Sequence, residues 1–123
     1  MAWAIEFHDA FAAEFRDWRH DVQRAAATSI ATMQLLGPML GRPQADTLKG
    51  SRHANMKELR LSVGDGEWRI AYGFDRRRHG ILLAGGSKSG VASDRFYRRL
   101  IATADSRFDA HLAALGGSSR RRR

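Results

Sequence analysis

The chain has 123 residues, enough for one domain with a hydrophobic core and too few for two. It has no cysteine, which excludes a disulfide framework and thiolate chemistry and fits a reducing compartment; its net charge of +8 points to a polyanion or an acidic protein as partner. The charge is uneven, with −2 over residues 1–48, +7 over 49–100 and +3 over 101–123.

Met1-Ala-Trp-Ala-Ile-Glu6 has neither a basic start nor an apolar stretch, and no run approaches the roughly 18 apolar residues of a membrane span, so a soluble, cytoplasmic protein is expected. Trp3-Ala-Ile-Glu-Phe7 alternates as a short strand does. Asp9 is placed to cap a helix over about 10–19, in which Phe11, Phe15 and Trp18 recur at helical spacing. A second helix is predicted from about 21 to 36, burying Val22, Ala26, Ile30 and Met33 and stopped by Gly37-Pro38. Residues 41–53 are turn-rich and become basic at Lys49, Arg52 and His53.

Three strands follow, in Asn55-Met-Lys-Glu-Leu-Arg60, Trp68-Arg-Ile-Ala-Tyr-Gly-Phe-Asp75 and Ile81-Leu-Leu-Ala-Gly-Gly-Ser-Lys88. An Asp65-Gly66 type I′ turn would pair Gly64 with Glu67, Val63 with Trp68, Leu61 with Ile70 and Leu59 with Tyr72, leaving one uniformly apolar face. On the other face Arg60 and Arg69 become diagonal neighbours, on the order of 7 Å apart, beside an opening left by Ala71 and Gly73. Two guanidiniums side by side repel unless an anion lies between them, and their planar donors suit phosphate. The alternative is that both pair with Glu58 and Glu67 on a solvated face. Arg76-Arg-Arg-His79 reads as a charged hairpin connection, Ile81-Leu-Leu-Ala84 as a strand buried on both faces, and Gly85-Gly-Ser-Lys-Ser-Gly90 as a flexible loop. That loop lacks the spacing of a phosphate-binding G-x-x-x-x-G-K-[ST] motif. A third helix is predicted over 94–115 with Ser93 as cap, then a disordered basic tail, so that 1–115 form the domain and 116–123 the tail.

The five histidines show no metal-ligand spacing, and there is no nucleophile elbow, so no metal or cofactor is expected. What remains is a set of fixed cations, Lys49, Arg52, His53, Lys57, Arg60, Arg69 and Lys88, with Tyr97 at the start of the last helix. Such a set can cleave RNA, because the 2′-hydroxyl is the nucleophile and the protein need only withdraw its proton, stabilise the phosphorane and protonate the leaving 5′-oxygen. Crowding against Arg60 and Arg69 would depress the Lys57 pKa toward that of a base, but strand parity points Lys57 away from them unless a bulge intervenes.

These residues resemble the RelE/ParE toxin superfamily, and more closely its HigB-like (phage Gp49-like) branch. The resemblance rests on Leu48-Lys-Gly-Ser51, on the three strand segments above, on Phe96-Tyr97, Ala104-Asp105 and His111-Leu112, and on their order and spacing. It implies an α+β fold, a small, mostly antiparallel sheet of about four strands with two N-terminal helices packed on it and a C-terminal helix. It also implies the toxin of a type II toxin–antitoxin pair, an endoribonuclease (mRNA interferase) that cleaves mRNA in the ribosomal A site. Its partners would be mRNA, the ribosome, and a HigA-like helix-turn-helix antitoxin that carries it to operator DNA, with no membrane involved. Arg60 and Arg69 would then bind the scissile phosphate, Lys88 bind phosphate or neutralise the leaving group, and Lys57 or His53 act as base, with Tyr97 near the family's C-terminal aromatic. Lys49, Arg52 and Arg95 would hold the RNA backbone. A ParE-like gyrase inhibitor and a non-catalytic RNA-binding module are the alternatives, since one fold hosts several functions.

Overall fold

The computed structural model describes residues 2–121, with side chains as far as residue 116. Its elements are β1 (Ala4–Phe7), α1 (Asp9–Phe15), α2 (His20–Leu36), a 3-10 turn (Gly37–Met39), β2 (Ala45–Thr47), β3 (Lys57–Val63), β4 (Gly66–Phe74), β5 (His79–Ser87) and α3 (Ser93–Arg121). The strands form one sheet in the order β1-β5-β4-β3-β2, with β1 parallel to β5 and every other pair antiparallel. This is the expected α+β architecture with five strands in place of about four. The strand not foreseen, β2, has only three residues, too few for alternation to show in a turn-rich stretch.

α1 is shorter than predicted, and its cap is His8, whose Nδ1 accepts from the Ala10 N–H at 3.1 Å, rather than Asp9. α2 follows its periodicity: Val22, Ala26 and Met33 are buried and Ile30 packs at the edge of the same cluster. It stops at Gly37, which has φ +54° and lies against the Trp3 ring, where a Cβ would fall 2.4 Å from the nearest ring atom. Phe11, Val22, Ala26 and Met33 cover one face of the sheet, formed by Leu59, Leu61, Ile70, Tyr72 and Leu82.

The second face is covered too. Phe96, Leu100, Ala104 and Phe108, at helical spacing on α3, pack on Met56, Ala71, Ile81, Leu83 and Ala84. The opening expected beside Ala71 and Gly73 is therefore closed: Ala71 is buried, and a Cβ on Gly73 would meet the Phe108 ring at 3.1 Å. Small residues there admit the helix rather than a ligand.

The first hairpin turns at Gly64-Asp65, not Asp65-Gly66, so Val63 faces Gly66, Leu61 faces Trp68, Leu59 faces Ile70 and Arg60 faces Arg69 directly. Gly64 carries the positive φ of 61° and Asp65 does not, the pattern of a type II′ turn. Gly85, Gly86 and Ser87 belong to β5, and the loop is confined to residues 88–92. Gly85 is required because a Cβ would lie 2.7 Å from the Arg69 carbonyl oxygen and 2.9 Å from the Trp18 ring. β5 is buried from Gly80 to Ala84, as its unbroken apolar run implies. The β4–β5 connection is tied by the Asp75 carboxylate, which accepts from the backbone N–H groups of Arg77 (2.9 Å) and His79 (3.2 Å). α3 begins at Ser93, with the Ala92 carbonyl accepting from the Phe96 N–H at 2.9 Å. α3 runs on through Arg121 and takes in residues 116–121 of the expected tail, while residues 122 and 123 lie outside those described. Among those described, no helix is long and apolar enough to cross a membrane.

Candidate active site

Alternation along β3 and β4 sets which side chains meet α3. Glu58, Arg60 and Ser62 share that face with Glu67, Arg69 and Ala71, and Arg60 stands directly across from Arg69. Two like charges opposite one another in an antiparallel pair are destabilising. Carboxylates on both sides offset this. Arg60 lies 3.3 Å from Glu58 and 3.4 Å from Asp46, and Arg69 lies 3.1 Å from Glu67 and 3.5 Å from Glu58. The ion-paired alternative is thus what the arginines adopt, with Arg69 buried beneath α3 and Arg60 left partly in solvent.

Tyr97, one turn into α3, completes the cluster. Its hydroxyl donates to Glu58 at 2.7 Å and accepts from Arg69 Nε at 3.3 Å. Arg69 also donates to the Trp68 carbonyl at 3.0 Å, and its side chain is only 9% exposed; that of Arg60 is 36% exposed. Arg60 is the guanidinium a ligand reaches first, and its Nε is buried without a partner among the described residues. Lys88 sits over the Tyr97 ring, 5.2 Å from its centroid, and its backbone N–H donates to the Glu67 carbonyl at 2.7 Å. Beside the arginines opens a cleft of about 450 Å³ lined by Arg42, Asp46, Lys49, Glu58, Arg60 and Tyr97.

Burial raises the Tyr97 pKa, as does its bond to Glu58, with Arg69 opposing, so the phenol stays protonated. Burial works against the Arg69 charge, but its bonds to Tyr97 and Glu67 prevail and raise its pKa. Glu67 is held below the usual carboxylate range by its bonds from Ser62 and Arg69. Asp46 is held down by the Thr47 backbone N–H and then Arg42.

Among the residues expected at the site, Arg60, Arg69, Lys88, Tyr97 and Lys49 come together; Lys57, His53 and Arg52 do not. Lys57 keeps strand parity and points to the opposite face, where its ammonium donates to the carbonyls of Pro38 (2.9 Å) and Leu40. No bulge interrupts β3 there. Its pKa is lowered by burial, with Asp46 opposing, and not by the two arginines. His53 bonds to Asp109 at 2.8 Å, and Arg52 pairs with Asp109 and, through its backbone N–H at 3.0 Å, with Asp105. Asp109 lies twelve residues past Tyr97, roughly 18 Å along the helix axis. The loop that carries His53 and Arg52 is fastened to α3 instead of serving the cleft. Arg95 is exposed in the first turn of α3.

Glu58 is the member of the cluster not expected to serve chemistry. Its position two residues before Arg60 on one strand was the available signal; its contact with Tyr97 spans 39 residues and carries none. Asp46 stands on the unforeseen β2. Among the described residues no group of three or more His, Cys, Asp or Glu side chains is arranged to hold a metal. The cleft wall thus presents the Arg60 guanidinium, a protonated phenol and a buried carboxylate, with Arg69 packed behind them, a set that can bind an anion such as phosphate.

Residues 13–109 match the family model of phage derived Gp49-like proteins. The chain belongs to the Gp49-like family. It is 39% identical over 121 residues to HigB2 of Mycobacterium tuberculosis, named as a candidate toxin, a match that takes in 86% of this chain and 60% of HigB2. With HigB3 of the same organism, also named as a candidate toxin, it is 38% identical over 97 residues, 79% of this chain and 82% of the relative. Both place it among HigB-like members of the family. No solved structure matches the chain.

Proposed function

We propose that this Gp49-like protein is the toxin of a type II toxin–antitoxin pair and acts as a ribosome-dependent endoribonuclease. The observation that carries the reading is the direct opposition of Arg60 and Arg69 beside Tyr97 and Glu58, with Arg60, Tyr97 and Glu58 lining an open cleft and Arg69 packed behind them. A phosphate entering there takes over Arg60 from Asp46 and Glu58, whose contacts of 3.4 and 3.3 Å are long. Partly exposed pairs of this kind contribute only about 0–1 kcal/mol, whereas guanidinium–phosphate bonds are charge-assisted and bidentate.

The roles follow from position. Arg60 and Arg69 bind the scissile phosphate and stabilise the charge of the phosphorane. Glu58, not Lys57 or His53, accepts the 2′-hydroxyl proton, since it alone among these is placed beside the arginines. The 2′-oxygen then bonds to phosphorus, the bond to the 5′-oxygen breaks, and Tyr97 protonates that oxygen. The proton taken by Glu58 returns to Tyr97 along their 2.7 Å bond, leaving a 2′,3′-cyclic phosphate and an unchanged protein. Lys88, Lys49 and Arg95 steer the RNA backbone. The toxin names of HigB2 and HigB3 support a cognate antitoxin as the natural partner.

The test is an in vitro translation reaction whose mRNA 5′ ends are mapped by primer extension, with intact ribosomes and with naked RNA. New ends in codon register, present only with ribosomes, are expected. Arg60→Ala should abolish them without unfolding the protein, and Glu58→Gln and Tyr97→Phe should each slow cleavage by about 100-fold. Arg69→Ala is a poorer control, because it removes a buried guanidinium and leaves the buried Glu58 with only Arg60 and Tyr97. Intact mRNA in both reactions removes the nuclease reading. RNA retained uncut would favour the binding module, and an effect on DNA supercoiling would favour the gyrase inhibitor.

A further inference from the structure

Large apolar side chains left in solvent are concentrated in one place. Leu35 (75% exposed), Leu36 (45%) and Met39 (84%) fall within five positions, at the end of α2 and in the turn after it. The segment that presents them is held from behind. The Trp3 N–H donates to the Gln34 carbonyl at 2.7 Å, the Trp3 ring lies against Gly37, and the Lys57 ammonium holds the carbonyls of Pro38 and Leu40. A rigid aliphatic surface exposed to water marks a contact site, and holding it in place lowers the entropy lost on binding.

The surroundings say what kind of partner fits. Lys57 is bonded to the segment, the Arg78 guanidinium rests 4.4 Å from the centroid of the Trp3 ring that lies against Gly37, and Arg76 is exposed on the same β4–β5 turn. Nucleic acid is a poor match, because bases stack on aromatic or guanidinium planes and these outward side chains are aliphatic. A second copy is opposed by a charge of +8 on each chain. An apolar segment flanked by Asp or Glu is complementary in both respects.

We propose that Leu35, Leu36 and Met39, with Arg78 at their rim, form the docking surface for the antitoxin, through an apolar segment bearing carboxylates. The identity of the partner rests on the function proposed above; the chemistry of the surface does not. The surface belongs to the α2 side of the sheet and the arginine cleft to the α3 side, so the two can be altered separately.

The experiment is binding of the antitoxin encoded in the same operon to the wild type, to the double variant Leu35→Glu/Met39→Glu and to Arg78→Glu, by co-purification and calorimetry. Translation inhibition by each free protein is measured in parallel. Affinity is expected to fall at least tenfold in the double variant and to fall in Arg78→Glu, with inhibition unchanged. Circular dichroism checks folding, and Arg78→Glu decides the matter should the double variant not fold. Undiminished binding by these variants overturns the proposal, as does a wild type that fails to bind the antitoxin. So does a homodimer, seen by light scattering, that the double variant breaks. A wild type that binds the antitoxin through this surface but does not inhibit translation would sink the nuclease reading and leave the docking surface standing.

Discussion

Tyr72 shows what a single polar atom does in this core. Its ring is fully buried among Leu59, Ile70, Leu82 and their neighbours, its hydroxyl has no partner among the described residues, and burial pushes its pKa up. An unsatisfied buried hydroxyl opposes folding, whereas its removal without loss of shape is neutral or stabilising. Tyr72→Phe should therefore leave the urea unfolding midpoint unchanged or raise stability by about 1 kcal/mol. A loss of that size would mean that the hydroxyl is satisfied after all. At this scale the site is partly legible in the sequence. Arg60 and Arg69 announce themselves because alternation puts each opposite to a run of apolar residues. Lys57 fails as a candidate by the same alternation, and the structure follows parity rather than inserting a bulge to rescue it. His53 fails for a reason parity cannot supply, since its partner Asp109 is 56 residues away.

Strand β5 is where local pattern and tertiary packing part company. Gly85-Gly86-Ser87 reads as a loop because glycine is depleted in strands and has no side chain to alternate. Here the absence of a side chain is what the strand needs, with Trp18 from the segment joining α1 and α2 occupying the space over Gly85. Gly85→Ala would push a methyl against the Arg69 carbonyl oxygen and that ring, and neither backbone nor a packed indole gives way easily. A loss of about 1–3 kcal/mol is expected, read by chemical denaturation. Because Gly85 and Gly86 pair with Ile70 and Arg69, the same change should also lower RNA cleavage under conditions where the protein remains folded. Unaltered stability would show that the strand shifts freely there. The hairpin is the milder case. Val63-Gly-Asp-Gly66 offers glycine on both sides of Asp65, so two turns fit the sequence. The two registers keep the same residues on each face and shift every cross-strand pair by two, which brings Arg60 and Arg69 from diagonal to opposed.

The molecule as a whole is closed by the way α3 is fastened across the sheet. Arg107 forks onto Glu14 of α1 at 3.0 and 2.6 Å, Asp105 accepts from the Ser51 hydroxyl at 2.5 Å, and His111 reaches Asp75 at 2.8 Å. The apolar repeat of α3 foretells a buried face, but these ties span 36 to 93 residues and have no local signature. Asp75 is the most consequential of them. Burial alone would raise its pKa, but bonds from His111, Arg77 and the backbone N–H groups of His79 and Arg77 outweigh burial and bring it from the ordinary 3.8 down to about 2. A depressed carboxylate pKa contributes stability that is fully present above the unfolded value and is lost as pH falls through the folded one. The window is therefore from about pH 4 down to about 2, and the contribution is about 2 kcal/mol. Asp75→Asn should lower the free energy of unfolding by at least that amount at pH 6, and the gap to the wild type should narrow steadily below pH 4 as the native carboxylate takes up its proton. Urea titrations of both proteins from pH 6 to pH 2 measure it. A gap that stays constant across the range would mean that Asp75 holds the β4–β5 turn and α3 through shape, and that its charge contributes nothing to the closure.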